Sequence, residues 1–421
     1  MWLKRLRSRL VAAFEELGHK SLRHWITAGL VLTTCYLAGP YIDEYLGLKR
    51  VEYWTFQTLA QLSSGKLEPK KVTLVVVGDD EYWLGAPAGR LPTNREYLAS
   101  VLKSLGASRA STLALDFDLR SPDPSIPLIQ ASYRQETQEL VSEIVRQAAL
   151  HKIVLAKAIW VDERTGSYVL DPDVYQAYGI CTAFDKNGNW QNPGTPKFPI
   201  GPIAASNISC GYVALPYDMR LVPGQIEVGA HRVDSFALAI ARSVSPAEAR
   251  DASGMNFGSY MGMAVWKNAN SVFDPAEATK FLAASPGAFD NRIIIIGAGW
   301  SSLARDRGDP VDIHRTPVGM LSGSMIHGNF VEAILGHRTF HATAEWLPEA
   351  CELTFGVLAA LVFSLEHTAL TKIIALLAVS CAFLLLQWLL LLTVGVLFEA
   401  LVPVFGLWIH SVIERLIGET E

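Results

Sequence analysis

The sequence predicts an extracytoplasmic α/β domain with a mainly parallel sheet, set between α-helical transmembrane segments, one N-terminal and three C-terminal. Three observations predict it. Half of the 421 residues are apolar, and the excess collects in residues 26–42 and 346–413 instead of spreading evenly. Between residues 71 and 160, apolar strand-like runs alternate with stretches of helical periodicity. The first 25 residues are basic.

Residues 1–25 hold Lys4, Arg5, Arg7, Arg9, Lys20 and Arg23 against Glu15 and Glu16. Leu3, Leu6, Leu10, Val11, Phe14 and Leu17 fit one helical face. The tail therefore reads as a basic amphipathic helix that lies on anionic membrane lipid or docks on a partner. Residues 26–42, ITAGLVLTTCYLAGPYI, carry no charge, the short end of a membrane span, which we set at 26–44. A secretory signal peptide is the competing reading. Against it, 25 residues is long for the charged leader and no clear small-x-small cleavage site follows. Cys35, in LTTC, matches a lipoprotein box poorly. The positive-inside bias puts the tail in the cytoplasm and the middle of the chain outside.

Residues 45–345 read as one domain. KVTLVVVGDD (71–80) is a valine-rich run suited to a strand buried on both faces. NREYLASVLKSLGA (94–107) places Tyr97, Leu98, Val101, Leu102 and Leu105 at helical spacing, with Gly106 past the end. STLALDFDL (111–119) is a second strand, QETQELVSEIVRQAALH (135–151) a second helix and KIVLAKAIW (152–160) a third strand. This order calls for parallel pairing with right-handed crossovers. Residues 161–231, rich in Gly, Pro and Asn, read as an insertion or an outer antiparallel portion. VDSFALAIARSV (233–244) is helical again, RIIIIGA (292–298) is the last central strand, and SGSMIHGNFVEAIL (322–335) is the last helix.

The C-terminal block contains TFGVLAALVFSL (354–365), a charge-free run over 373–398, and ALVPVFGLWIHSVI (400–413). Residues 346–413 hold three spans of about 20 residues, leaving 414–421 as a cytoplasmic tail. A two-helix reading would leave the C-terminus outside. Glu349 and Glu352 suit the start of the first of these helices. Glu399 interrupts an apolar run and is a candidate contact to another membrane subunit.

Composition excludes several classes. The net charge is −5 and no basic cluster outside the N-terminal tail suits nucleic acid. There is no CxxC, no Cys/His zinc spacing and no G-x-S-x-G elbow. No cofactor, metal or catalytic residue is expected. Cys35, Cys351 and Cys381 fall in or beside apolar helices. Cys181 and Cys210 lie in the middle and would pair in an oxidising compartment, or stay as two free thiols.

In an open α/β sheet, ligands bind at the carboxyl ends of the strands. Those ends carry Asp79, Asp80, Asp116 and Asp118, and the polar loop after Gly297 adds Asp306, Asp309, Asp312, His314 and Thr316. His327 and Asn329, near the start of the last helix, reach for the same edge. Asp79, Asp116, Asp118, Asp312, His314, Thr316, His327 and Asn329 are therefore the candidate ligand-binding residues. Other readings stand beside this. Asp312 and His314 have the spacing of an acid/base or metal pair. Gly297 and Gly299 make half of a dinucleotide fingerprint. Aspartates at strand ends often cap the next helix or bond loop amides, and Arg95 is placed to pair with one of them.

The order of motifs resembles the CHASE2 family of extracytoplasmic sensory domains. The similar stretches are VVVGDDEYW, RLPTNREYLASVL (90–102), LALDFDL, SCGYVALPYDMR (209–220), RIIIIGA, DIHRTPVG and MIHGNFVEAIL (325–335), spread over about residues 45–340. One turn departs from the family pattern: Asp218-Met219-Arg220 is a residue short and lacks the glycine. The resemblance implies a sensor subunit of the cell (inner) membrane, multi-pass, with an unknown extracytoplasmic ligand. It also implies a homodimer, as sensors with membrane helices often form. Family members often continue into a cytoplasmic output domain, and here about eight residues follow the last helix. The expected output is therefore a separate cytoplasmic effector, a kinase, cyclase or regulator. The competing expectations are a membrane-anchored hydrolase using the Asp312, His314 and Asp116 edge, and a structural envelope subunit.

Overall fold

The computed structural model describes residues 71–90, 93–117, 119, 132–157, 160–161, 168–169, 206–215, 221–228, 231–252, 256–258, 287–303, 307–316 and 319–337, with isolated positions at 54, 58 and within 374–389. The chain divides into two units, Ala60–Phe340 and a second made of Met1–Leu59 with His341–Glu421. Among the described residues no helix is long and apolar enough to cross a membrane. The expected membrane segments lie outside those residues, apart from the isolated positions. Of these, Ile374, Leu377, Leu384, Leu385, Leu386 and Leu389 expose apolar side chains.

The unit Ala60–Phe340 begins with β1 (Val72–Val77), the short α1 (Asp79–Leu84) and α2 (Arg95–Leu105). Then come β2 (Thr112–Asp116), α3 (Tyr133–Ala148) and β3 (Lys152–Lys157). β4 (Trp160–Val161) pairs with β5 (Tyr168–Val169). β6 (Ile208–Tyr212) and β7 (Leu221–Pro223) follow, and β8 (Gln225–Val228) pairs antiparallel with β9 (His231–Asp234). α4 (Phe236–Val244), α5 (Pro246–Ala252) and β10 (Asn256–Gly258) lead to β11 (Ile293–Ala298). Last come the antiparallel pairs β12 (Ser301–Leu303) with β13 (Arg307–Pro310) and β14 (Ile313–Thr316) with β15 (Gly319–Ser322), then α6 (Gly323–Leu335).

The central sheet runs β1-β11-β2-β3-β6, with all four pairings parallel. The late strand β11 is inserted between β1 and β2. Ile293, Ile294, Ile295 and Ile296 are each no more than 1% exposed, which is why an unbroken isoleucine run is tolerated: both faces are covered. Leu113, Leu115, Ile153, Leu155, Ile294 and Ile296 face α2 and α3. From those helices Leu98, Leu102, Leu105, Leu140 and Ile144 close the layer. Each such side chain stabilises the fold by about 1.5–3 kcal/mol, an upper figure set by the unfolded reference. α4 and α6 pack on the sheet as well, through Phe236, Ile240, Ile326 and Phe330.

Helix starts follow capping chemistry. The side chains of Asn94, Ser235 and Ser322 accept from the backbone N–H of Tyr97, Leu238 and Met325, satisfying donors that the first turn leaves free. The Ser235 cap corrects one expectation: the helix begins at Phe236, because His231–Asp234 is drawn into a hairpin. Three further corrections apply. Ile208–Tyr212, read from composition as insertion or outer antiparallel portion, is a parallel strand of the central sheet, in line with the Gly-containing strand that the resemblance of SCGYVALPYDMR implies. The residues after Gly297 form two antiparallel pairs, and no single loop. The half-fingerprint Gly297 and Gly299 does not open a helix, since β12 follows it.

Candidate functional site

The carboxyl ends of β2 and β11 lie side by side, with Gly297 opposite Asp116 in the parallel ladder. A side chain at Gly297 would put its Cβ 2.0 Å from Ser324 Oγ. Glycine there lets the start of α6 settle onto the strand end, with Ser324 fully buried beside Asp116. Asp116 is half-buried as a residue, yet its Oδ2 is sealed from solvent and has no hydrogen-bond partner.

Asp312 ties the turn before β14 to the same place. Its φ of 53° is left-handed, a conformation that favours glycine but that aspartate tolerates. Its carbonyl accepts from Gly323 N at 2.9 Å. A Cβ on Gly323 would meet Asp312 Oδ2 at 2.2 Å, so this glycine also makes room for a carboxylate. Asp312 Oδ1 lies 2.9 Å from His314 Nε2, and the Asp312 side chain is 45% exposed. Asp312 and His314 therefore form the rim, with Asp116 and Ser324 beneath.

The electrostatics separate floor from rim. Burial, then the charge on Asp312, push the Asp116 carboxyl up to about 8. The Ser324 hydroxyl tempers that rise without meeting the carboxyl in a well-directed hydrogen bond. One turn further along α6, His327 is buried with its ring at the edge of Phe236, centroids 5.4 Å apart. Burial lowers it to about 4, against an upward pull from Asp312. Its imidazole is neutral at pH 7, and its sealed Nδ1 has no partner. The floor thus holds a protonated carboxyl, a hydroxyl and a neutral imidazole (three polar groups with unused bonding capacity) in a place where such groups are ordinarily satisfied.

The other candidates fall elsewhere. Asn329 follows His327 by two residues, roughly 200° around the helix. It donates Nδ2 to the Met325 carbonyl, and its neighbour Glu332 accepts from the N–H groups of Lys71 and Val72, both at 2.7 Å. That side of α6 anchors the start of β1. Asp79 Oδ1 accepts from Ser301 N at 2.9 Å and ties α1 to β12. Thr316 is fully buried in β14. Arg95 stacks over Tyr133, 4.5 Å from its centroid, and donates to Thr137. Asp118, Asp306, Cys181, the turn at 218–220 and Glu349, Glu352 and Glu399 lie outside the described residues. Cys210 is disulfide-bonded, to a cysteine outside those residues.

Sequence reasoning missed Ser324 and an aromatic stack in the core. Tyr82 stacks on Trp300 at 4.0 Å, and Phe117 lies 6.2 Å from the same ring. Gly297 and Gly323 were the available signal, since both mark close approaches, but only the sheet order shows what approaches. Among the described residues no group of three or more His, Cys, Asp or Glu is arranged to hold a metal ion. An open groove of about 600 Å³ between α2 and α3, lined by Glu96, Lys103, Glu139 and Arg146 among others, is separate from this cluster.

A family model for the CHASE2 domain matches residues 28–365. No curated protein and no solved structure matches the chain.

Proposed function

The chain belongs to the CHASE2 family, and from that premise we propose that it is a membrane-bound sensor subunit whose ligand acts at the Asp116, Asp312, Ser324 and His327 cluster. CHASE2 domains are extracytoplasmic sensory domains, which supports a sensory role. The observation that carries the reading is the set of sealed, unpartnered polar atoms at the strand ends. A purely structural site would be expected to satisfy them.

The route out of the site is α6. It carries Ser324 and His327, and about ten residues after its end the C-terminal apolar block begins. A ligand that pulls on the first turn of α6 therefore acts on the segment leading to the membrane. Only differential contact with two states can drive such a shift. The exposed leucines at 377–389 suit a lipid surface. The disulfide at Cys210, which we assign to Cys181, suits an oxidising compartment. In this reading the protein is multi-pass in the cell (inner) membrane. Residues 1–25 and 414–421 are the cytoplasmic surfaces that address a separate effector.

The test is a gentle detergent pull-down of the full chain from its native cell, with mass spectrometry of what co-purifies. A stoichiometric cytoplasmic kinase, cyclase or regulator, lost on deleting residues 2–24, is the expected result. A partnerless protein would overturn the receptor reading. Stable capture of envelope proteins alone would replace it with the scaffold reading.

A further inference from the structure

His151 stands between α3 and β3, at the amino edge of the central sheet. It is 7% exposed, and both of its ring nitrogens face backbone carbonyls. Nδ1 lies 2.8 Å from the oxygen of Ala110, and Nε2 lies 3.0 Å from the oxygen of Gly106. Gly106 closes α2, and Ala110 stands just before β2. One ring therefore joins the end of a helix, the entry of a strand and the link between α3 and β3.

A carbonyl oxygen only accepts. A neutral imidazole carries one N–H and one bare lone pair. In that form, one of the two contacts sets lone pair against lone pair at hydrogen-bond distance, in a place where polar groups are ordinarily satisfied. The imidazolium donates from both nitrogens and satisfies both carbonyls. Its charge also sits at the negative, C-terminal end of the α2 dipole. α3 is held differently at the same edge. The Ala148 carbonyl accepts from Asn207 Nδ2 at 2.8 Å, and Asn207 Oδ1 accepts from Lys152 Nζ at 2.5 Å. An amide does not titrate near neutrality; an imidazole does.

The charged side chains on the surrounding elements are Lys103 on α2, Glu143 and Arg146 on α3, Arg109 before β2, Lys152 at the head of β3, and Asp290 and Arg292 before β11. Arg146 pairs with Glu143 and Arg109 with Asp290, while Lys152 is engaged by Asn207. Among the described residues the ring's polar partners are the two carbonyls and no carboxylate.

We propose that His151 is a proton-operated clasp: as the imidazolium it ties the end of α2 to the entry of β2, and loss of one ring proton to solvent releases one of the two carbonyls. The closed state binds the proton. Its contribution is therefore present at low pH and lost as pH rises through the histidine range. Opening frees the link between α2 and β2. The clasp is at the amino edge of the sheet and the Asp116 cluster at the carboxyl edge, so it acts whether or not a ligand binds there.

The test is hydrogen–deuterium exchange of the full-length protein in detergent between pH 5.5 and 8.5, read by mass spectrometry and corrected for the intrinsic pH dependence of exchange. The reporters are the amides of Ser108 and Ser111, which donate to the Leu105 and Arg292 carbonyls. Their protection should fall on the alkaline side, by up to about tenfold per pH unit for one proton. Peptides over β11 are the reference for whole-domain changes, including any from Asp116. In His151→Gln, whose amide does not titrate, the loss relative to β11 should vanish. His151→Asn serves the same purpose should His151→Gln fold poorly. Protection that stays flat relative to β11 in the wild type, or falls equally in the variant, would overturn the clasp.

Discussion

Glu136 and Asp116 are two carboxylates of one domain whose neighbours treat them in opposite ways. Glu136, at the start of α3, is 5% exposed. It takes both arms of the Arg90 guanidinium, the Ser132 hydroxyl at 2.8 Å and the Arg95 N–H. The hydrogen bond from Arg90, against the cost of burial, holds its carboxyl below the usual range. Asp116 has a sealed oxygen with no partner and a second carboxylate for company, and it is raised to about 8. Burial raises both acids; Glu136 has a cation and donors that outweigh it, and Asp116 has burial reinforced by a second carboxylate. Glu136 joins the segment before α2 to α3 and reads as scaffold. Asp116 is left unsatisfied where the strands end, and reads as a site.

The sharpest way to break this contrast is to remove the scaffold partner. Arg90→Ala leaves Glu136 buried and unpaired, with side-chain exposures of 15% and 7% in the native pair. The expected loss in urea unfolding free energy is about 3–5 kcal/mol. Adding Glu136→Gln should recover part of it, because the orphaned charge goes. The native carboxyl is lowered, so its contribution is full above the unfolded value of 4.5 and is lost as pH falls through the folded value. A loss below about 1 kcal/mol would show that the pair is surface-like and the contrast false.

Asp116→Asn should act in the opposite direction. The native value, about 8, stands above the unfolded 3.8. The folded state therefore binds the extra proton, and stability from this group falls as pH rises through that window. Between pH 6.5 and 8 the loss is bounded at about 2 kcal/mol by one proton's linkage. The variant minus wild-type difference in melting temperature should grow steadily over that interval. A flat difference would mean that Asp116 is already ionised and solvated.

Much of the scaffold was legible in the chain, and less of the site. Valine and isoleucine runs gave β1 and β11 to within a residue or two, since a strand covered on both faces leaves no polar alternation to misread. Asn94 and Gly106 bracketed α2 for the same local reasons that form it. The residue pattern did not show β6, because Ile208–Tyr212 carries Ser, Cys and Gly in a Gly- and Pro-rich stretch and takes its strand character from its neighbour β3; only the family resemblance of SCGYVALPYDMR pointed to a strand there. Of the residues near the ends of β2 and β11, Asp116, Asp312, His314 and His327 are legible as candidates from strand ends and a helix start. Ser324 is not. Its part depends on Gly297 lying beneath it, a relation between residues 27 positions apart that no local pattern encodes. Asn329 was placed with the site by nearness in sequence, but two residues along a helix is the far side of it.

His327→Gln sharpens the contrast on the acid side. The folded imidazole, at about 4, lies below the unfolded 6.5, so its contribution is present above 6.5 and lost as pH falls toward 4. Between those values it opposes the falling contribution of Asp116, and the two nearly cancel in the wild type. In the variant the Asp116 slope should emerge alone, with stability rising as pH drops from 6.5 toward 4 relative to wild type. An unchanged acid limb would place His327 in contact with water.

The smallest effect is expected from Ser324→Ala, and it bears most directly on what the hydroxyl does. In the wild type Ser324 lowers the Asp116 carboxyl slightly, against burial and Asp312. Without the hydroxyl nothing on α6 offsets those two, so Asp116 holds its proton to higher pH. The loss of stability with rising pH should therefore run on to higher pH before it levels off, leaving the variant less stable on the alkaline side by less than about 1 kcal/mol. At pH 6, where Asp116 is protonated in both proteins, deleting an unpartnered buried hydroxyl should be neutral or mildly stabilising. A clear loss of stability at pH 6 would mean that Ser324 makes a strong hydrogen bond to Asp116. It would then join Glu136 on the scaffold side of the comparison, and the case for a ligand between β2 and α6 would weaken accordingly.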